Sequence, residues 1–210
     1  MKLTFLPQPR SVVLLDSAYA LAANRFIILA APEPQGILFT ARRIQQALQL
    51  TFNVQWGFAA SWATPQDQVG MILRLAPAEV PHPQGYRLQV LPDVIKLTAH
   101  DAAGLFYGAG TFGQLLTQAA GANLPTLEIN DWPDFPARGV MLDISRDRVP
   151  QMANLYDLVD RLSAWKINQL QLYTEHTFMY TQHSEVWAAA SPMTGEDILA
   201  LDAYCRERYV

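Results

Sequence analysis

Residues 131–146, Asp131-Trp-Pro-Asp-Phe-Pro-Ala-Arg-Gly-Val-Met-Leu-Asp-Ile-Ser-Arg146, divide the chain into two parts of different character. Pro133 and Pro136 fix φ and bias the residues before them toward extended backbone, which predicts a stiff linker over residues 131–137. An apolar run of strand length follows at residues 139–144, and it ends in Ser145, Arg146, Asp147 and Arg148. A continuous apolar strand with polar groups at its exit is the pattern of a buried parallel strand that presents a site at its C-terminal end. The expectation is one small domain over residues 1–130 and the start of another over residues 131–210.

Composition narrows the function classes. Half of the 210 residues are hydrophobic and only 16% are charged, against roughly 25% in an average domain. That is more apolar surface than two solvated domains need, so part of it is expected to meet protein outside these residues. The net charge of −4 and the lack of a basic stripe argue against nucleic acid as a partner. A single cysteine, Cys205, excludes a disulfide framework within the chain and fits a reducing compartment. The N-terminus lacks a signal-peptide core, and no apolar stretch approaches the roughly 18 residues of a membrane span. The expectation is a cytoplasmic chain with no membrane partner.

Before the linker, short apolar runs at residues 12–15, 26–30 and 70–76 have strand length. Tyr86, Leu88 and Val90 alternate along residues 85–91, and residues 94–99 return after the Pro92-Asp93 turn as a hairpin partner. Between Pro34 and Thr51 the period changes: Ile37, Ala41, Ile44, Ala47 and Leu48 recur at helical spacing. Asp101 caps a second helix reaching about Thr117, with Leu105, Ala109, Phe112 and Leu116 on one face. Strands paired as hairpins with two interspersed helices indicate an α+β domain built on a mostly antiparallel sheet.

After the linker the rhythm is strand, helix, strand, helix. Met152, Leu155, Tyr156, Val159 and Leu162 stripe the first helix, and residues 167–174 form the second strand. Thr194, with Asp197 three residues on, caps the last helix. Two βα units suit a parallel α/β fold, either an eight-stranded barrel or a doubly wound sheet. A barrel takes roughly 250 residues and only residues 138–210 follow the linker, so the second domain is expected to be incomplete.

Gly108-Ala-Gly-Thr-Phe-Gly113 is a literal GxGxxG, with Glu128 at the offset of a ribose-binding acid. A dinucleotide site needs these glycines at the turn directly after a strand. Here they fall inside a helix, where small residues allow close packing on the sheet. No cofactor is expected. Asp143, Arg146, Asp147 and Arg148 at the first strand exit are either a local ion-pair cluster or a fork for hydroxyls or a carboxylate. Tyr173-Thr-Glu-His176 ends the second strand, beside the first in a parallel sheet. There Glu175 and His176 are either a solvated acid and imidazole or partners of Arg146 in one pocket. Trp187 and Tyr180 either cover the strand ends or stack on a sugar face. His82, His100 and His183 show no metal-ligand spacing.

Taken together these residues resemble the family 20 glycoside hydrolases, the β-N-acetylhexosaminidases. Leu6-Pro-Gln-Pro, Gly85-Tyr-Arg-Leu and Ala103-Gly-Leu-Phe-Tyr-Gly108 with Gln114-Leu-Leu are similar to the family's non-catalytic α+β domain. Residues 131–146 are similar to its entry into a catalytic (β/α)8 barrel, of which residues 131–210 would be the truncated start. The resemblance implies that Arg146 binds hydroxyls of the terminal sugar, supported by Asp143. It also implies substrate-assisted hydrolysis, in which the substrate's own 2-acetamido oxygen attacks the anomeric carbon. Many members carry histidines and an Asp pair where this chain has Leu170-Gln-Leu-Tyr-Thr-Glu-His176, so Glu175 and His176 receive no assigned role. The family's catalytic Asp-Glu pair belongs to the fourth barrel strand, beyond residue 210, and the 210 residues alone are expected to be inactive. The implied partner is an N-acetylhexosamine-terminated glycan, with self-association through an open barrel edge. The alternative is a stand-alone, non-catalytic glycan-binding or scaffold module.

Overall fold

The computed structural model describes residues 3–60, 63–119, 121–146 and 148–210. They form two compact units, Met1–Pro136 and Ala137–Val210. In the first unit the chain runs β1 (Ser11–Ala20), β2 (Phe26–Ala30), α1 (Leu38–Phe52), β3 (Gly57–Ala59), β4 (Val69–Leu75), β5 (Tyr86–Val90), β6 (Ile95–Ala99), α2 (Ala102–Gln118) and β7 (Asn123–Asp131).

These strands make one sheet in the order β1-β7-β5-β6-β4-β2-β3. It is mixed, not mostly antiparallel. β1–β7, β7–β5 and β5–β6 are antiparallel, whereas β6–β4, β4–β2 and β2–β3 are parallel. The parallel half arises because β2 is joined to β3 through α1, and β4 to β6 through the intervening β5, so that none of these neighbours is linked to the next by a tight hairpin. Helices α1 and α2 pack on each other and on one face of the sheet. Leu73, Leu88, Val90, Leu97, Leu127 and Ile129 point into that layer and are fully buried, opposite Ile44 and Leu48 of α1 and Leu105, Phe112 and Leu116 of α2.

Asp101 caps α2 through its carboxylate, which accepts the Gly104 N–H at 2.8 Å and the Gln84 N–H at 2.9 Å. The GxGxxG stretch lies wholly within α2. Only Gly108 of its glycines meets the sheet, where a Cβ would touch Leu97 and Tyr86; Gly110 and Gly113 face open space. Gln114 and Gln118 use their side-chain amides as a surrogate strand, each donating to and accepting from the backbone of Leu6 and Thr4, respectively, at 2.7–2.8 Å. Asp131 is the last residue of β7 and only 8% exposed, so the linker begins after it. Its carboxylate accepts from the Tyr86 hydroxyl and the Arg10 N–H. Burial, then the Asp131 charge, pushes the Tyr86 phenol well above its usual range.

The second unit runs β8 (Gly139–Asp143), α3 (Met152–Ala164), β9 (Gln169–Tyr173), the short α4 (Ser184–Trp187) and α5 (Gly195–Glu207). Strands β8 and β9 pair in parallel, from Gly139 opposite Gln169 to Asp143 opposite Tyr173. Their start is locked by Arg138, whose N–H donates to Asn168 Oδ1 at 2.7 Å and whose carbonyl accepts the Asn168 and Gln169 N–H groups. Ile144, Leu155, Val159, Met193, Leu201 and Cys205 form the core. Asp160 on α3 accepts from Tyr204 and Arg208 at 2.8 and 2.6 Å, tying α3 to the end of α5. Thr194 and Asp197 form a reciprocal capping box on α5.

Two glycines of α2 are expected to respond oppositely to alanine. At Gly104 a Cβ would lie 2.3 Å from the Gly85 carbonyl oxygen, so Gly104→Ala should destabilise by about 1–3 kcal/mol. Gly110→Ala meets nothing and should stabilise by about 0.5–1 kcal/mol, because alanine loses less backbone freedom in a helix. Urea unfolding followed by circular dichroism measures both.

Candidate functional site

The polar exits of β8 and β9 lie side by side because the two strands are parallel and in register. Just past β8, the Ile144 N–H continues the ladder to the Tyr173 carbonyl at 3.1 Å. Ser145 is buried, and its hydroxyl accepts the Glu175 N–H and meets the Thr177 hydroxyl at 3.2 Å. These two buried hydroxyls fasten the turn after β9 to the turn after β8. They are the part of the site that a search for charged groups passes over.

On this platform Arg146 Nη2 donates to Glu175 Oε1 at 2.7 Å. The Tyr173 hydroxyl donates to the same oxygen at 2.7 Å, and the Arg146 guanidinium stands 5.8 Å from the centre of the Tyr173 ring. Glu175 is held ionised: the Tyr173 hydrogen bond, then that from Arg146, lowers its carboxyl below the ordinary range, with the neighbouring His176 adding to the effect. Reciprocally, the bond to Glu175 raises both Arg146 and Tyr173 above their usual values. Tyr173 is the last residue of β9, and the bend that follows brings Glu175 back onto its hydroxyl.

Asp143 does not pair directly with Arg146 among the described contacts. Its carboxylate accepts the Ser145 N–H at 2.8 Å, shaping the turn that carries Arg146, and its charge acts on the guanidinium from there. His176 is exposed and makes no hydrogen bond among the described residues. Asp147 lies outside the described residues. A cavity of about 680 Å³ opens beside the β8 exit, lined by Asp143, Arg146, Arg148, Gln151 and Asn154. Trp187 donates its indole N–H to the Tyr180 carbonyl at 2.9 Å, and the Tyr180 hydroxyl donates to the Glu175 carbonyl at 3.0 Å. That loop therefore folds back onto the strand ends. Among the described residues no group of three or more His, Cys, Asp or Glu side chains is placed to hold a metal, and no helix is long and apolar enough to cross a membrane.

The model of glycosyl hydrolase family 20, domain 2, matches residues 2–132. The chain belongs to glycosyl hydrolase family 20. Among relatives, a β-hexosaminidase of Akkermansia muciniphila is 35% identical over 112 residues, which are 51% of this chain and 22% of that protein. The β-hexosaminidase subunit beta of Rattus norvegicus is 26% identical over 225 residues, 96% of this chain and 42% of the relative. The fold is similar to that of a Flavobacterium johnsoniae chitobiase, with a TM-score of 0.81 at 23% identity over 98% of this chain and 33% of that one. A Streptomyces plicatus β-hexosaminidase, solved with the product GlcNAc, gives a TM-score of 0.78 at 22% identity over 98% of this chain and 44% of that one. The chain thus spans less than half the length of these family 20 proteins.

The Glu175 contacts make a pH prediction. Because its pKa in the folded chain is lowered, the Arg146–Glu175 pair persists above the ordinary glutamate value and is lost as pH falls through the depressed one. Carboxyl-carbon NMR titration of Glu175 should give a midpoint below that of an ordinary glutamate. Tyr173→Phe and Arg146→Ala should each move it back up.

Proposed function

We propose that this chain is the N-terminal part of a β-N-acetylhexosaminidase that removes terminal, non-reducing N-acetylhexosamine from glycans. In this reading residues 1–130 are the non-catalytic α+β domain, and residues 131–210 are the first two βα units of a catalytic (β/α)8 barrel. One observation carries the reading: Arg146, with Glu175 bound to one edge, stands at the C-terminal ends of two parallel strands in a family 20 chain.

The guanidinium has five N–H donors, and Glu175 engages Nη2. The remaining donors grip vicinal hydroxyls of the terminal sugar, while ionised Glu175 accepts a hydroxyl proton in a hydrogen bond. Asp143 holds the turn, and His176 supplies a further donor beside Glu175. The bond-breaking step is substrate-assisted. The 2-acetamido oxygen attacks the anomeric carbon as the glycosidic oxygen leaves with a proton from a Glu, and an adjacent Asp orients the acetamido group. Water then opens the cyclic intermediate with retention of configuration. That Asp-Glu pair is assigned to sequence outside these 210 residues.

Ligand-observed NMR with N-acetylglucosamine should detect binding to residues 1–210. Arg146→Ala should weaken it by at least about tenfold, the loss of a charge-assisted contact. The same polypeptide should release no chromophore from p-nitrophenyl N-acetyl-β-glucosaminide. Turnover by the chain alone, or undiminished binding by the variant, would overturn the assignment.

Met141, on the face of β8 opposite Leu142, is 58% exposed, Val140 on the other face is 43% exposed, and neither β8 nor β9 has a second partner strand among the described residues. We propose that this edge drives self-association of the isolated chain. Sedimentation velocity should show concentration-dependent dimers or larger species, which Met141→Lys reduces.

A further inference from the structure

The face of the seven-stranded sheet turned away from α1 and α2 carries a cavity of about 470 Å³ that the proposed hydrolysis does not use. Strand alternation directs Leu73, Leu88 and Leu97 into the helix layer, and so presents Arg74, Arg87, Lys96 and Thr98 on the open side. The register arranges them in rows. Thr98 on β6 stands opposite Arg74 on β4 and Arg87 on β5, and Arg87 stands opposite Asn130 on β7. In the next row Lys96 stands opposite Ile72 and Gln89, and Gln89 opposite Glu128.

Two groups in this grid lack partners. Thr98 is only 7% exposed and lines the cavity; its hydroxyl makes no hydrogen bond among the described residues and stays open to the solvent in that cavity, since none of their buried side-chain polar atoms lacks a partner. The Lys96 ammonium makes no ion pair among them. The others are held in place. Glu79 grips Arg74 through both carboxylate oxygens. Arg87 Nε donates to Asn130 Oδ1 at 3.0 Å and lies 4.0 Å from Glu128. Glu128 accepts from Asn130 and Gln89 at 2.8 and 2.9 Å. Hydrogen bonds to Arg74, and to Asn130 and Gln89, lower the Glu79 and Glu128 carboxyls, so both are acceptors only. Three cations (Arg74, Arg87, Lys96) against two carboxylates leave one positive charge, on a chain whose net charge is −4.

We infer that this face binds an acidic sugar residue of a glycan, through a carboxylate or sulfate group set on Lys96 and ring hydroxyls set on Thr98, Glu79 and Glu128. The mixed donor and acceptor set selects the class. A compact inorganic anion has no donors for the two carboxylates and is repelled by them. A neutral sugar leaves Lys96 unmatched. Nucleic acid would meet the same carboxylates without an aromatic ring on which to stack a base.

Isothermal titration of residues 1–210 with four probes tests this: a chondroitin 6-sulfate hexasaccharide, its desulfated counterpart, chitohexaose and sodium sulfate. Binding of the first is expected. Retention by the desulfated chain assigns the uronate as the recognised group, and loss assigns the sulfate. Chitohexaose and sodium sulfate should bind at least about tenfold more weakly, and Lys96→Ala and Thr98→Val should each weaken the acidic probe by about tenfold. Circular dichroism checks that the near-buried Thr98→Val variant is folded; Lys96→Ala, on the open face, tests the site independently. Equal affinity of the Arg146→Ala chain for chitohexaose, equal affinity for sulfate alone, or undiminished binding by Lys96→Ala, would overturn the inference. Arg146→Ala should leave this binding unchanged; its loss there would mean that the probe reads the strand-exit site instead.

Discussion

Five residue pairs in parallel register, Gly139 with Gln169 through Asp143 with Tyr173, govern what the second unit can present to a ligand. Because side chains alternate along a strand, a slip of one residue would turn Leu142 and Leu172 away from the core they pack on and carry Glu175 off Arg146. The register is secured at both ends. Arg138 and Asn168 exchange hydrogen bonds where the strands begin, and Ser145, Glu175 and Thr177 are joined where they end. Between these clamps the backbone has little freedom, so the position of the guanidinium follows from the position of the sheet.

The Arg146–Glu175 pair itself adds little to stability. Its side chains are 65% and 40% exposed, and solvent screening leaves a pair of this kind little to contribute. The geometry therefore matters for direction more than for cohesion. Glu175, held by Tyr173 as well, keeps one edge of the guanidinium occupied and so aims the other. The first unit offers a contrast. There the Tyr86, Thr111 and Asp131 groups are buried together, and their hydrogen bonds satisfy polar atoms that would otherwise be costly to remove from water.

How much of this was readable from residue order depends on how local the determining interaction is. The α2 cap at Asp101, the capping box at Thr194 and the alternation of Tyr86, Leu88 and Val90 are local, and each is found where its pattern predicts. The pairing of β2 with β3 and β4 is not local, and nothing in a hairpin-by-hairpin reading reveals it, so the sheet was expected to be mostly antiparallel. Strand β7 was missed because Pro125 interrupts its alternation. It tolerates the proline opposite Ala18 of β1, next to the irregular step between Leu14 and Ala18. At the strand exits, Arg146 and Glu175 stand out as charges after apolar runs, whereas Ser145 and Thr177 are ordinary turn residues until the fold brings them together. Asp143 acts on Arg146 through the backbone: its carboxylate turns back to the Ser145 N–H and shapes the turn that carries the guanidinium, a route that sequence proximity alone does not reveal.

With only 16% of residues charged, the places where charges gather carry information. Two such places stand out. One is the exit of β8 and β9, where Asp143, Arg146, Arg148 and Glu175 gather around the hydroxyls of Ser145, Tyr173 and Thr177. The other is the open face of the mixed sheet, where Arg74, Arg87, Lys96 and Glu128 occupy rows set by strand register and Glu79 joins them from the turn after β4. A solvated sheet face needs polarity but not so enclosed a threonine, and the Thr98 hydroxyl is left open only toward the cavity. Both groupings pair fixed carboxylates with cations that retain free donors, an arrangement suited to polyhydroxylated ligands because such ligands donate and accept at once. In each case the backbone pairing sets the spacing and leaves the side chains little to adjust on binding, which is the condition for weak individual contacts to add up to recognition.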